Sequence, residues 1–82
     1  MSMLTSTQIR MARHALRWSV SELAAITGVS ISTIKRIEAS DGEPNSTKAN
    51  LATLKKALEA AGIEFIGTPE DGPGVRMRTH KD

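Results

Sequence analysis

The chain contains no cysteine, which excludes disulfides, thiolate nucleophiles and zinc–thiolate centres. No segment approaches the ~20 consecutive apolar residues needed to span a bilayer, and the opening "MSMLTSTQIR" lacks the apolar core of a signal peptide, so a soluble, cytoplasmic protein is expected. Eighty-two residues suffice for one domain with one modest core and leave little room for a walled active site. Aromatic residues are scarce, with one Trp, one Phe and no Tyr, and Trp18 reads as a packing residue between helices rather than a stacker of bases. Glycine-rich phosphate loops are absent, His14 and His80 stand apart from any acidic cluster, and no Ser/His/Asp arrangement can be argued. An enzyme is therefore not expected, nor a metal or other cofactor.

The net charge of +2 is small, but it is unevenly spread. Residues 1–40 carry five basic side chains (Arg10, Arg13, Arg17, Lys35, Arg36) against two acidic ones (Glu22, Glu38), while the remainder is nearly balanced. The positive excess thus belongs to the first half, and by itself a mild basic bias is a weak signal, since a charge run is usually a solvated face.

Apolar spacing organises the chain into helices. Ile9, Ala12 and Leu16 predict a first helix over Thr7–Arg17. "SVSE" places Ser19 as an N-cap with Glu22 three positions on, the sign of a reciprocal capping box opening a second helix. Gly28 ends it within two turns and Ser30 caps a third, Ile31–Ala39, closed by Gly42 and Pro44. Leu51, Leu54, Ala57, Leu58 and Ala61 mark a longer helix over Thr47–Ala61, stopped by Gly62. Beyond it the period becomes two: "GIEFI" and "GVRMR", separated by the turn-rich "GTPEDGPG", predict a β-hairpin with a long loop.

A helix broken at Gly28 and restarted at once needs a reason. Leu23, Ala24, Val29, Ile34 and Ile37 fall where two steeply crossed helices would touch. On the third helix, at about 100° per residue, Ile34, Ile37 and Glu38 share the core-facing side. Ser32 and Arg36 lie opposite, flanked by Lys35 and Thr33. Short hydroxyls and two cations beside a capped helix N-terminus suit a nucleic acid: free amides bind phosphate, and Arg bridges O6 and N7 of guanine.

At these residues the chain resembles the helix-turn-helix family of phage repressors and Cro proteins, the Xre-type regulators. Glu22-Leu23-Ala24, Gly28-Val29-Ser30, Thr33-Ile34 and Ile37-Glu38 stand at the spacing of that family's signature, over about residues 7–65. The resemblance implies a mainly α fold, a four-to-five-helix repressor-like domain over 7–62. A flexible N-terminus (1–6), a hairpin extension (63–78) and a frayed tail (79–82) would flank it. It further implies that Ile31, Ser32 and Arg36 read base edges, that Ser30, Thr33 and Lys35 meet phosphates together with Ser19 and Ser21, and that Arg13 and Glu38 form a structural ion pair. "EASDGEPN" is longer and more acidic than the family's usual turn, and Lys48 is the only cation near it and the remaining candidate for a DNA contact.

The implied activity is that of a sequence-specific transcriptional regulator, a repressor binding a palindromic operator in double-stranded DNA as a homodimer, with helix 31–39 in the major groove. The alternative is an antitoxin-like interaction protein that binds a partner such as a toxin and autoregulates its operon. The tail admits two roles. Ile63, Phe65, Val75 and Met77 could fold back on helix four, or part of the strand pair could join its symmetry mate by edge pairing or face packing, the favoured expectation, with Arg76 and Arg78 facing solvent.

Overall fold

A computed structural model describes residues 4–40 and 47–78; the expected helix-closing turn at Gly42 and Pro44 and the expected frayed tail at 79–82 lie outside the described residues. Thr5, in extended backbone, opens α1 (Ser6–Ala15). Its hydroxyl accepts from the Gln8 backbone N–H at 3.0 Å, and the Gln8 side-chain oxygen accepts from Thr5 N–H at 2.9 Å, so two otherwise orphaned donors are satisfied reciprocally. Thr5 and Ser6, assigned above to a flexible N-terminus, are the cap and first residue of α1, and both are buried.

The first helix ends at Ala15 rather than Arg17. Arg17 turns to φ 60°, and the amides of Arg17 and Trp18 return to the carbonyls of His14 and Arg13 at 3.0 Å each, the bond pattern of a left-handed helix cap. An Arg in that region costs about 1–2 kcal/mol against its right-handed alternative, so residue type gave no sign of the early stop.

Ser19 and Glu22 form the expected capping box at the start of α2 (Val20–Thr27). Gly28 ends it at φ 79°, returning its N–H to the Ala24 carbonyl at 2.8 Å. The chain reverses there at little steric cost because glycine has no Cβ. Ser30 then caps α3 (Ile31–Ala39), and Thr47 caps α4 (Lys48–Ala60) by accepting from Asn50 N–H. Ile9, Ala12, Leu23, Ile34, Ile37, Leu54 and Leu58 are fully buried where the four helices meet, with Ile63 and Val29 nearly so. Each such Leu or Ile contributes about 1.5–3 kcal/mol by leaving water. Trp18 and Ala24 pack at the margin of this core.

The described residues close with β1 (Ile63–Thr68) and β2 (Asp71–Met77), paired antiparallel with Ile63 opposite Met77, Phe65 opposite Val75 and Ile66 opposite Gly74. The long loop expected between the strands is absent, since both strands run on and only Pro69 and Glu70 form the turn. Pro73 falls between the paired Gly74 and Asp71, opposite the register shift between Ile66 and Thr68, an irregularity where a strand tolerates proline. Gly67 makes the tight approach possible: a Cβ on it would stand 2.2 Å from the Gly72 carbonyl oxygen.

The hairpin is seated on its own domain, β2 against α1 and β1 against α4. Ile63 is 1 % exposed, and Phe65 and Val75 pack on the helical core. Gln8 Nε2 donates to both the Ile66 and the Gly74 carbonyls, at 3.0 Å each. Ile63, Phe65 and Val75 are thus used internally while Met77 is exposed, which disfavours the face-packing form of the dimer expectation, because a two-stranded ribbon has too little buried surface to stand alone. Arg76 and Arg78 are exposed as expected, with Arg76 3.5 Å from Glu64 across the strands.

Candidate nucleic-acid interface

Helix α3 divides as its periodicity requires. Ile34, Ile37 and Glu38 are buried, whereas Ile31, Ser32, Lys35 and Arg36 are exposed and Thr33 lies between. At about 100° per residue the four exposed side chains form one continuous outward arc. A hydroxyl cluster gathers at its start. Ser30 Oγ accepts from Thr33 N–H at 3.2 Å and donates to Thr33 Oγ1 at 2.8 Å, and Ser32 Oγ lies 3.5 Å from Ser30 Oγ. Arg36 reaches back one turn toward Thr33 Oγ1 at 3.5 Å. The site residues expected on α3 are therefore brought together, with Ser30 and Thr33 engaged in the cap itself.

The C-terminal end of α3 is held from α1. Arg13 straddles the Glu38 carboxylate, Nε to Oε2 at 2.8 Å and Nη2 to Oε1 at 2.9 Å, and donates through Nη1 to the Trp18 carbonyl at 3.0 Å. These side chains are only 12 % and 8 % exposed. Hydrogen bonding to Glu38, aided by its negative charge, raises the pKa of Arg13 above its ordinary value against the opposing effect of burial. Arg10 adds a bond from Nη1 to the Glu38 backbone carbonyl, one of the acceptors that a helix end leaves without an intrahelical partner. A cation there also opposes the negative end of the helix dipole.

This geometry changes the meaning of the charge count. Of the five cations in residues 1–40, Arg10 and Arg13 serve the fold through Glu38, leaving Arg17, Lys35 and Arg36 exposed. Arg17 stands two positions before the Ser19 cap of α2. Ser19 and Ser21 lie at the start of α2 and Lys48 at the start of α4, all exposed. Gln8 and Arg10 were missed as positioning residues, since their partners are supplied by distant segments.

A short helix, a glycine turn and a second helix with an outward polar arc, braced on two further helices, define a helix-turn-helix DNA-binding domain. The helix-turn-helix family model matches residues 9–66, more than half of the chain. The protein belongs to this family of Xre/Cro/C1 type, a family of DNA-binding transcriptional regulators. No curated protein and no solved structure matches the chain. Among the described residues, no helix is long and apolar enough to cross a membrane.

Proposed function

We propose that the protein is a repressor that binds a palindromic operator as a homodimer, each copy laying α3 in the major groove. The observation that carries this reading is the outward arc of α3, where Arg36, Ser32 and Lys35 stand together on a helix whose other side is locked into the core. On this reading Ile31, Ser32 and Arg36 face base edges. Ser30, Thr33 and Lys35 lie along phosphates, joined by Ser19 and Ser21 at the start of α2 and by Lys48. A single arc spans only a few base pairs, too few for tight specific binding, whereas two copies related by a two-fold axis read half-sites about 34 Å apart. With Ile63, Phe65 and Val75 packed internally, the two-fold contact draws on the outer surface of the hairpin, where Met77 is exposed.

Selection of bound duplexes from a random DNA pool tests the reading. It should enrich inverted repeats, and sedimentation on the selected duplex should give two chains per site. Arg36→Ala should lose about 1–3 kcal/mol of specific binding and relax preference at one base pair. Lys35→Ala should weaken binding to all sequences alike and reduce the salt slope by about one. A reporter with the selected site over its promoter should fall when the protein is expressed. Enrichment of sequences without symmetry, or an Arg36→Ala variant with unchanged affinity and preference, would overturn the assignment.

A further inference from the structure

Three large apolar side chains are exposed among the described residues: Ile26, Ile31 and Met77. Ile26 lies on α2 and Met77 on β2. Ile31 is different, because it is the first residue of α3 and shares the outward arc of that helix with Lys35, Ser32 and Arg36. It is 42 % exposed, so nearly half of its surface is left in water although the core lies on the next face of the same helix. A phosphate contact has no use for a branched hydrocarbon, and a solvated helix start is ordinarily polar.

We propose that Ile31 reads thymine through its 5-methyl group. This rests on the DNA-binding reading given above and names the base feature that the apolar end of the arc takes. The edges of base pairs in the major groove present hydrogen-bonding groups and a single hydrocarbon, the thymine methyl. Ile suits that target physically: branching at Cβ holds its χ1 in one strongly preferred rotamer on a helix, so its methyl groups are presented at a fixed place with little entropy left to lose. The neighbouring Ser32 is short enough to let the helix start come close. Ile31 and Arg36 are five residues apart, about 7.5 Å along the helix axis. The thymine read by Ile31 and the guanine read by Arg36 therefore fall within about three base pairs in each half-site.

The test uses the full chain and the duplex selected from the random pool, with each thymine replaced in turn by deoxyuridine, which lacks only the methyl. Wild-type affinity should fall about fourfold per half-site at one position, the effect of one methyl group leaving an apolar contact, and remain unchanged at the others. Ile31→Ala should bind the thymine duplex as weakly as wild type binds the deoxyuridine duplex, and should no longer distinguish the two. Ile31→Val should keep part of the discrimination. A half-site in which no thymine is sensitive to the replacement would overturn the proposal without any variant being needed. Sensitivity that persists undiminished in a folded Ile31→Ala would overturn it as well. Failure to enrich any duplex would remove the regulator reading and this inference together, an outcome distinct from thymine-insensitive binding.

Discussion

Removing one partner of the Arg13–Glu38 pair is the sharpest test of how α3 is held. Exposed ion pairs contribute about 0–1 kcal/mol, whereas stripping one partner from a buried pair costs about 3–5 kcal/mol. With side chains 12 % and 8 % exposed and two charge-assisted bonds of 2.8 and 2.9 Å, this pair stands near the buried limit. Glu38→Ala leaves the Arg13 guanidinium its bond to the Trp18 carbonyl, and the Arg10 bond to the Glu38 backbone survives, so a loss of about 2–4 kcal/mol is expected. For a domain of this size that lowers Tm by roughly 10–25 °C. Arg13→Ala strands the carboxylate and should cost a similar amount. Urea unfolding of both single variants and the double variant should give a coupling energy of about 1–3 kcal/mol. Strictly additive losses would mean that the two groups do not interact and would refute the reasoning. The pH dependence has a defined sign. Because the pKa of Arg13 is raised in the folded state, its contribution is complete at every pH below the unfolded value and is lost only as strongly alkaline pH passes the folded one. The titration of Arg13 should therefore leave stability flat between about pH 5 and 9.

Three further outcomes are expected. Gln8→Leu keeps the volume but leaves Thr5 N–H and the Ile66 and Gly74 carbonyls without their partner; urea unfolding should show a loss of about 2–4 kcal/mol, and hairpin amides should exchange faster. Gly67→Ala drives a Cβ to 2.2 Å from backbone, whereas Gly28→Ala enters open space and meets only the left-handed penalty of about 1–2 kcal/mol; thermal melts should show the Gly67 variant as clearly the less stable of the two. Arg17→Gly relieves the strained cap at φ 60° and should raise stability by about 0.5–1 kcal/mol, after the entropy that glycine loses on folding is subtracted; a lower Tm would show that the Arg17 side chain contributes packing that outweighs the strain.

Features with short-range causes were legible in the sequence. Ser19 with Glu22, Gly28 and Ser30 act within one turn of themselves, so the caps of α2 and α3 and the break between them follow from spacing, whereas the equally local Thr5–Gln8 box lacks a preceding periodic stretch to mark it. The outward arc of Ile31, Ser32, Lys35 and Arg36 follows likewise from the helical period, because Ile34 and Ile37 determine which side turns inward. Even the hairpin was visible as a change of period, although its turn was read as a loop: Gly, Pro and Asp mark turns locally but do not show how far two strands will zip together. What only the tertiary structure decided is where long-range partners meet. Gln8 bonds Ile66 and Gly74, 58 and 66 positions away, and so settles that the hairpin rests on α1. Arg10 reaches Glu38 across α1 and α3, beside the Arg13–Glu38 pair that the family resemblance already implied, so two cations are withdrawn from a surface that charge counting would have assigned to DNA. Local propensity can place a donor on a helix face, but the acceptor is supplied by another segment, and which segment arrives is set by how all the apolar faces pack at once.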